Sequence, residues 1–186
     1  MSLRSQMLEG SAATAEANPT PARRPGRRPV DDLVELGAAD ARLVASYLSG
    51  LDGEARRRRF HGAVGDASLR AHCARLDPAT FHAVGFRKAG RLVGLAELYL
   101  DASLKDAEVA LSVMRTGADP TERLLAAAVR LAGRLGAVRL TWVWYPGDAR
   151  ALRWLEAAGG AVDPERRAVT LGLIAGDGPA GRSGIR

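Results

Sequence analysis

The sequence predicts an α+β protein, with a mixed, mostly antiparallel sheet and helices on both of its faces. Two observations lead to this prediction. Apolar residues recur at helical spacing as far as about residue 76, and after that point they recur with the period of two that strands show. Two further helical segments then interrupt the strand-like runs, and no internal repeat is present. Helices placed before and between the strands have to cover both faces of the sheet.

The first predicted elements are a short strand and three helices. The strand is expected at Asp32 to Leu36, and the helices at Ala38 to Leu51, Gly53 to Phe60 and Ala67 to Leu76. The second helix carries four consecutive arginines at 56–59. A solvated helix face is the simpler interpretation of such a run, and attraction of an acidic substrate is the alternative.

Three strands follow these helices. Two of them, Phe81 to Arg87 and Arg91 to Tyr99, flank Lys88-Ala89-Gly90, which is typical of a hairpin turn. The third strand is predicted at Val109 to Met114. The first two strands are therefore expected to pair as antiparallel neighbours.

The third strand runs through a short polar turn directly into a helix. Asp119 suits the N-cap, Pro120 suits the first helical position, and Glu122 stands where a capping box requires an acid. A helix start that follows a strand this closely presents unpaired N–H groups and the helix dipole to an anion. The segment is therefore a candidate pyrophosphate site, although a strand–helix joint without a ligand has the same pattern.

The last predicted elements are a strand, a helix and a hairpin. The strand is expected at Val138 to Tyr145, and the helix runs from Asp148 to Ala158. Gly159-Gly160 ends this helix. The hairpin pairs 161–162 with 168–173.

Composition restricts the classes of protein that the chain can represent. The 186 residues suit one domain, which we predict at 30–175 between a disordered basic tail at 1–29 and a flexible C-terminal tail at 176–186. A single cysteine, Cys73, excludes an internal disulfide, and three scattered histidines do not suggest a metal site. No apolar run reaches the length of a membrane span, and no secretory signal is evident, so we expect a cytoplasmic protein.

The basic character of the chain is concentrated in its N-terminal tail. Five arginines and two glutamates within residues 1–30 supply half of the net charge of +6. No aromatic residue accompanies these arginines to stack on a base, so we do not expect nucleic acid as a partner.

Deletion of residues 1–29 is expected to leave the thermal stability and any ligand binding unchanged, because the segment lacks the apolar residues needed to join a core. Thermal unfolding of the full chain and of the shortened chain tests this expectation. A clear fall in melting temperature on deletion would show that the tail is part of the folded protein.

Several segments resemble the GNAT-fold N-acetyltransferases, and most of all the acyltransferase module of bacterial protein lysine acetyltransferases. The resemblance extends over about residues 30–175. It is carried by LDGEARRRRFHG at 51–62, GRLVGLAE at 90–97, AEVALSV at 107–113 and GAVRL at 136–140. The last three resemble the third strand, the fourth strand and the entry to the fifth strand of that family. The resemblance implies a GNAT-like fold with acetyl-CoA as cosubstrate and without a metal.

The resemblance also implies a set of cofactor-binding residues. In the family the fourth and fifth strands splay apart, and the pantetheine arm of acetyl-CoA pairs with the fourth, which implies backbone contacts at Val113 and Met114. The turn that follows holds the pyrophosphate. By position, the implied residues of the turn and of the later Asn-x-x-Ala signature are Arg115, Gly117, Thr121, Arg123 and Asp148.

The chain departs from the family at this turn. Asp119 and Thr121 stand where the family prefers glycine, and Gly117 comes too early in the turn. Asp119 and Glu122 also place negative charge at the helix start, where they compete with an anion for the N–H donors and repel it. In the later signature Leu155 replaces the tyrosine that often acts as general acid.

Acetyl transfer needs a base that takes a proton from the amine. Glu108, at the start of the fourth strand, lies where the resemblance places this base. Glu97 is the second candidate, although a surface charge on a half-buried strand is the simpler interpretation of that residue. The Met114 amide is a candidate donor to the thioester carbonyl, and ordinary strand pairing is the alternative for it.

These observations predict an N-acetyltransferase that moves an acetyl group from acetyl-CoA to a primary amine, either a protein lysine or a small molecule. A catalytically weak or inactive GNAT-like domain, with a regulatory or ligand-binding role, is the alternative that the altered turn supports. The sequence leaves a homodimer open and predicts no membrane partner.

Overall fold

A computed structural model describes residues 32–77, 80–115 and 119–173 of the chain. The strands are β1 (Asp32–Leu36), β2 (His82–Lys88), β3 (Arg91–Leu100), β4 (Asp106–Val113), β5 (Arg139–Val143), β6 (Ala161–Asp163) and β7 (Ala168–Gly172). The helices are α1 (Ala41–Ser49), α2 (Gly53–Phe60), α3 (Asp66–Ala74), α4 (Thr121–Arg134) and α5 (Ala149–Ala157), and a 3₁₀ turn at Ala38–Asp40 precedes α1. The α+β prediction is confirmed, and so is the order of its elements.

The described strands form one seven-stranded sheet in the order β1-β2-β3-β4-β5-β7-β6. Neighbouring strands in this part of the chain run antiparallel, except for β4 and β5, which are parallel. Parallel neighbours need a crossover connection, and α4 supplies it here. The same connection places the start of α4 next to the end of β4.

The predicted hairpin between β2 and β3 is confirmed. Ala89 and Gly90 have φ angles of 50° and 80°, so two consecutive residues adopt the left-handed conformation that a two-residue hairpin turn of the primed type requires. Lys88 and Arg91 are paired across the turn. This short-range signal explains why the pairing of β2 with β3 could be predicted from the sequence.

Helices cover both faces of the sheet, and each face has its own core. One core joins α4 and α5 to the sheet through Leu124, Ala128, Leu131, Leu155, Phe86, Leu98, Val109, Leu140, Trp142 and Val169. The other joins α1 and α3 to the opposite face through Val44, Tyr47, Leu48, Leu69, Ala83, Leu92 and Leu95. Side chains of alternate residues along β3 and β4 therefore point into two different environments.

The predicted start of the helix after β4 is wrong by one position. Pro120 occupies the cap position of α4, Thr121 is the first helical residue, and no capping box forms. Asp119 Oδ1 instead accepts a hydrogen bond of 2.9 Å from the Thr121 N–H. Glu122 Oε1 accepts one of 2.9 Å from Arg150 Nε of α5, so a tertiary ion pair takes the side chain that a capping box would use.

Replacing Gly160 by Ala is expected to destabilise the fold by about 1–3 kcal/mol, the usual cost of overpacking a core. A Cβ at this position would lie 2.5 Å from Val169 Cγ1 and 2.8 Å from the Leu155 carbonyl oxygen. Gly133→Ala is the matched control, since a Cβ there meets nothing within 4 Å and alanine is the better helix former. Urea unfolding should show a lower free energy of unfolding only for Gly160→Ala. Equal stability of the two variants would contradict the expectation.

Candidate active site

A cleft opens where β4 and β5 part. The two strands pair from Asp106 and Arg139 as far as Val109 and Trp142. Beyond Val109, β4 continues to Val113 without a strand partner on that side in the described part of the chain. The resulting cleft has a volume of about 320 Å³. It is lined by Ala55, Arg58, Arg59, His61, Glu108, Val109, Ala110, Leu111, Ser112, Val113, Met114, Arg115, Asp119, Thr121, Trp142, Val143 and Asp148.

The backbone of β4 offers hydrogen-bonding groups to this cleft. Alternate residues of an antiparallel strand direct their N–H and C=O groups to opposite neighbours. The Asp106 carbonyl accepts from the Asp101 N–H, and the Met114 N–H donates to the Val93 carbonyl, so the even-numbered residues of β4 face β3. The backbone groups of Leu111 and Val113 therefore face β5, where the strands have separated.

The Met114 amide is not available to a ligand. Its N–H donates to the Val93 carbonyl oxygen at 2.8 Å, which continues the pairing of β3 with β4. The alternative of ordinary strand pairing is therefore correct for this group. The residue still lines the cleft, and its side chain packs against the core beside α1 and α3.

Glu108 lies at the inner end of the cleft, where the parallel pairing is still intact. It is paired with Thr141 of β5 and stands opposite Tyr99 of β3, with its side chain on the sheet face that carries α1 to α3. The side chain is exposed, and no hydrogen bond or ion pair ties it to another described residue. A carboxylate that is free of partners and borders the cleft can accept a proton.

Glu97 is a fully buried charge, and its interpretation as a surface residue of a half-buried strand is wrong. The side chain is 0% exposed and forms an ion pair with Arg59 of α2, whose side chain is 7% exposed. Arg59 Nε donates to Glu97 Oε2 at 2.7 Å, and Arg59 Nη2 donates to the Tyr99 hydroxyl at 2.7 Å. The Tyr99 hydroxyl donates in turn to Glu97 Oε1 at 3.1 Å.

The electrostatics of this cluster keep both partners charged. Burial raises the pKa of Glu97, but the Arg59 guanidinium, with help from the neighbouring His72, lowers it by more, so the pKa lies below its ordinary value. Burial and the Glu97 charge raise the pKa of the Tyr99 hydroxyl, which therefore stays protonated. The cluster joins α2 to β3 beside Glu108. Both carboxylate oxygens of Glu97 have partners in it, so Glu97 has a structural role.

The arginine run on α2 is not the solvated helix face that its composition suggests. Arg56 donates to the carbonyls of Leu51 and Ser49 and pairs with Asp66 at 2.5 Å. Arg59 is buried against Glu97, and Arg58 borders the cleft. Of the four arginines, Arg57 alone is classed as exposed.

The start of α4 carries two acids, and one arginine neutralises part of their charge. Arg150 of α5 lies 3.5 Å from Asp119 and 2.9 Å from Glu122. The repulsion that these two acids exert on an anion is therefore weaker than the sequence alone suggests. The Thr121 N–H remains engaged by Asp119, and Pro120 has no N–H to offer.

The structure places most of the predicted cofactor residues on the cleft. Its walls include Val113, Met114, Arg115, Thr121 and Asp148. Burial raises the pKa of Asp148, although the Tyr145 N–H and the charges of Arg58 and His61 oppose this effect.

Two predicted cofactor residues are not among those that line the cleft. Gly117 lies outside the described residues. Arg123 points elsewhere, with its guanidinium 4.8 Å from the centroid of the Phe86 ring, where it makes a cation–π contact. A cofactor contact by either residue stays a prediction.

Two polar atoms on the walls are unusual, because they are buried without a partner in the described part of the chain. Ser112 Oγ and Arg58 Nε are buried, and neither has a hydrogen-bond partner among the described residues. Buried polar groups usually have such partners, so these two atoms are candidates for contact with a bound molecule. No group of residues suited to holding a metal ion is found in the described part of the chain.

Arg58, Arg59 and Ser112 were not identified as site residues from the sequence. A signal for the buried pair was present, because Glu97 interrupts the apolar run at 92–100, and a charge in such a run requires a buried partner. Nothing in the sequence indicates which of four consecutive arginines supplies that partner.

The structure is similar to several solved acetyltransferase structures. One is the GNAT domain of S. lividans PAT, with 17% identity over 76% of this chain and 89% of that one, and a TM-score of 0.58. Another is spermidine N-acetyltransferase from Vibrio cholerae in complex with CoA and spermine, with 14% identity over 76% and 95% of the two chains and a TM-score of 0.57. A third is a GNAT superfamily phosphinothricin acetyltransferase from Sinorhizobium meliloti in complex with AcCoA, with 14% identity over 77% and 88% and a TM-score of 0.55.

The fold is therefore the GNAT acetyltransferase fold, as the sequence resemblance implied. No protein-family model matches the sequence, and no curated protein matches it significantly. No helix in the described residues is both long and apolar enough to cross a membrane.

Proposed function

We propose that this chain is an acyl-CoA-dependent N-acetyltransferase that moves an acetyl group from acetyl-CoA to a primary amine. The observation that carries the proposal is the cleft between β4 and β5, with Glu108 at its inner end. Along one wall lie the backbone groups of Leu111 and Val113, which have no strand partner on that side among the described residues. A protein lysine and a small-molecule amine both remain acceptor classes under this proposal.

The residues of the cleft fit the cosubstrate. Leu111 and Val113 offer N–H and C=O groups to an extended amide chain such as pantetheine, in the manner of an added strand. Ser112 Oγ and Arg58 Nε are buried polar atoms on the cleft walls that have no hydrogen-bond partner among the described residues. Acetyl-CoA supplies the activated acyl group as a thioester, and the chain's own residues supply orientation and proton transfer.

Glu108 is assigned the role of general base. The acceptor nitrogen must be neutral to attack the thioester carbonyl carbon, so its proton passes to the Glu108 carboxylate. Glu108 first passes this proton to solvent. The neutral nitrogen then attacks, the C–N bond forms, and the second proton that the nitrogen loses on becoming an amide passes to Glu108. The C–S bond breaks, and the departing CoA thiolate takes this second proton, which gives the amide and the CoA thiol and restores the base.

The alternative is a GNAT-like domain that binds a ligand without catalysis. It is favoured by the start of α4, where Asp119 takes the Thr121 N–H and two acids share one arginine. It is also favoured by the position of Leu155, which is 1% exposed and belongs to the core, so this position offers no general acid to the cleft.

Release of CoA thiol tests the proposal. The purified full chain is incubated with acetyl-CoA and one acceptor at a time from a panel containing a lysine peptide, spermidine and free amino acids. The proposal expects thiol release that depends on both the acceptor and the enzyme concentration. Binding of acetyl-CoA without transfer to any amine would favour the non-catalytic alternative.

A further inference from the structure

Two arginines at the mouth of the cleft, the end where β4 stops at Val113, share one carboxylate. Glu54 Oε1 accepts from Arg58 Nη2 at 2.5 Å, and Glu54 Oε2 accepts from Arg115 Nη2 at 3.1 Å. Both arginines line the cleft, and their side chains are 36% and 75% exposed. Two guanidinium charges and one carboxylate leave this trio with an excess of one positive charge.

Arg58 extends across the cleft, and not all of its N–H donors are used within the described part of the chain. Its guanidinium reaches from α2 towards the turn before α5, where a Cβ built on Gly147 would lie 3.6 Å from Arg58 Nη2. Gly147 has a φ of 105°, a conformation in which a side chain would be strained, so this turn presents bare backbone to the guanidinium. A guanidinium has five N–H donors, and the buried Nε of Arg58 has no partner among the described residues.

The start of α4, which also lines the cleft, is poorly equipped to bind an anion. Its first donor is occupied by Asp119, Pro120 contributes none, and the two acids that surround it outnumber Arg150. An oxyanion that enters this cleft meets positive charge on Arg58 and Arg115, and negative charge at the start of α4 and on Asp148, whose carboxylate interacts with the charge of Arg58. Side chains, rather than helix amides, are therefore the stronger anion-binding groups here.

We infer that Arg58 and Arg115, held together by Glu54, form the phosphate-binding site of this chain and provide donors that Pro120 and Thr121, at the start of α4, do not offer. The ligand chemistry is a phosphate ester or diphosphate, which in the cleft is that of the acyl-CoA cosubstrate, so the inference rests on the proposed function. Glu54 holds the two guanidiniums in place, and it competes with the phosphate for their donors.

Isothermal titration of the full chain with acetyl-CoA, 3′-dephospho-acetyl-CoA and S-acetylpantetheine tests the inference. Arg58→Gln and Arg115→Gln are each expected to weaken acetyl-CoA binding about tenfold or more, since each loses a charge-assisted hydrogen bond. Neither variant should alter binding of S-acetylpantetheine, which has no phosphate. If the two variants weaken the binding of 3′-dephospho-acetyl-CoA as much as that of acetyl-CoA, the arginines bind the diphosphate. If they weaken only the binding of acetyl-CoA, the arginines bind the 3′-phosphate.

Glu54→Gln separates ligand binding from a structural role. It frees both guanidiniums and adds one positive charge to the site, so acetyl-CoA should bind more tightly and with a steeper salt dependence. Arg57→Gln, an exposed position on the same helix, is the matched control and should bind like the wild type.

Three results would overturn the inference. They are wild-type affinity for acetyl-CoA in Arg58→Gln, equal losses for acetyl-CoA and S-acetylpantetheine, or weaker acetyl-CoA binding in Glu54→Gln. Failure of the wild type to bind acetyl-CoA at all would instead remove the proposed function, and the inference with it.

Discussion

Glu108→Gln is expected to lower the turnover number by about 10²–10⁴-fold, the usual cost of removing a general base. Gln keeps the size of the side chain but cannot take the proton from the acceptor amine. The affinity for acetyl-CoA should change little, because Glu108 lies where β4 and β5 still pair, away from Arg115 at the mouth. Steady-state kinetics with a saturating amine and titration with acetyl-CoA measure the two quantities separately.

Glu156→Gln is the matched control for this experiment. Glu156 is an exposed carboxylate on α5 and does not line the cleft, so its replacement should leave the turnover unchanged. Unchanged turnover in Glu108→Gln would remove Glu108 from the mechanism. A parallel loss of acetyl-CoA affinity would show that the residue binds the cosubstrate rather than acting as the base.

Arg59→Ala is expected to destabilise the fold by about 3–5 kcal/mol, because it leaves the Glu97 carboxylate buried without its counter-charge. Urea unfolding of the full chain measures this loss. The double variant Arg59→Met, Glu97→Leu should recover much of it, since apolar residues of similar size often replace a buried ion pair at little cost. Arg57→Ala, on the same helix, should stay within about 0.5 kcal/mol of the wild type.

The pH dependence of stability provides a second signature of this pair. The pKa of Glu97 lies below its ordinary value of 4.5 in the folded chain, so the pair contributes its full stabilisation above that value. The contribution is lost as the pH falls through the lower, folded-state pKa. The double variant should lack this part of the acid destabilisation. If Arg59→Ala lowers the free energy of unfolding by less than about 1 kcal/mol, or if the double variant loses stability in acid as the wild type does, the pair has no such role.

The strands could be predicted because their signals are local. The alternation along β2 and β3 and the Ala89-Gly90 turn decide the pairing within a few residues of sequence. The start of α4 could not be predicted in the same way. Asp119-Pro120 allows two helix starts that differ by one residue, and the partner that takes Glu122 away from a capping box is Arg150, 28 residues further along the chain.

Part of the candidate site could also be predicted from the sequence, and part could not. The resemblance to the acetyltransferases led to Glu108, Val113, Arg115, Thr121 and Asp148, all of which line the cleft. The contributions of α2 were not predicted, because they depend on how this helix lies over β4.

Arg59 pairs with Glu97, which lies 38 residues further along the chain, and Arg58 pairs with Glu54. Because both arginines belong to a run of identical side chains, only the tertiary structure decides which arginine pairs with which acid. The sequence predicts that a buried charge needs a partner, but it does not predict which arginine serves.

Calorimetric titration of acetyl-CoA into the purified full chain tests most directly the claim that the cleft between β4 and β5 is an acyl-CoA site. We expect saturable binding of one acetyl-CoA per chain with a micromolar Kd, reached through side-chain contacts despite the acids at the start of α4. Absence of binding at millimolar acetyl-CoA, by a chain shown to be folded, would contradict the claim.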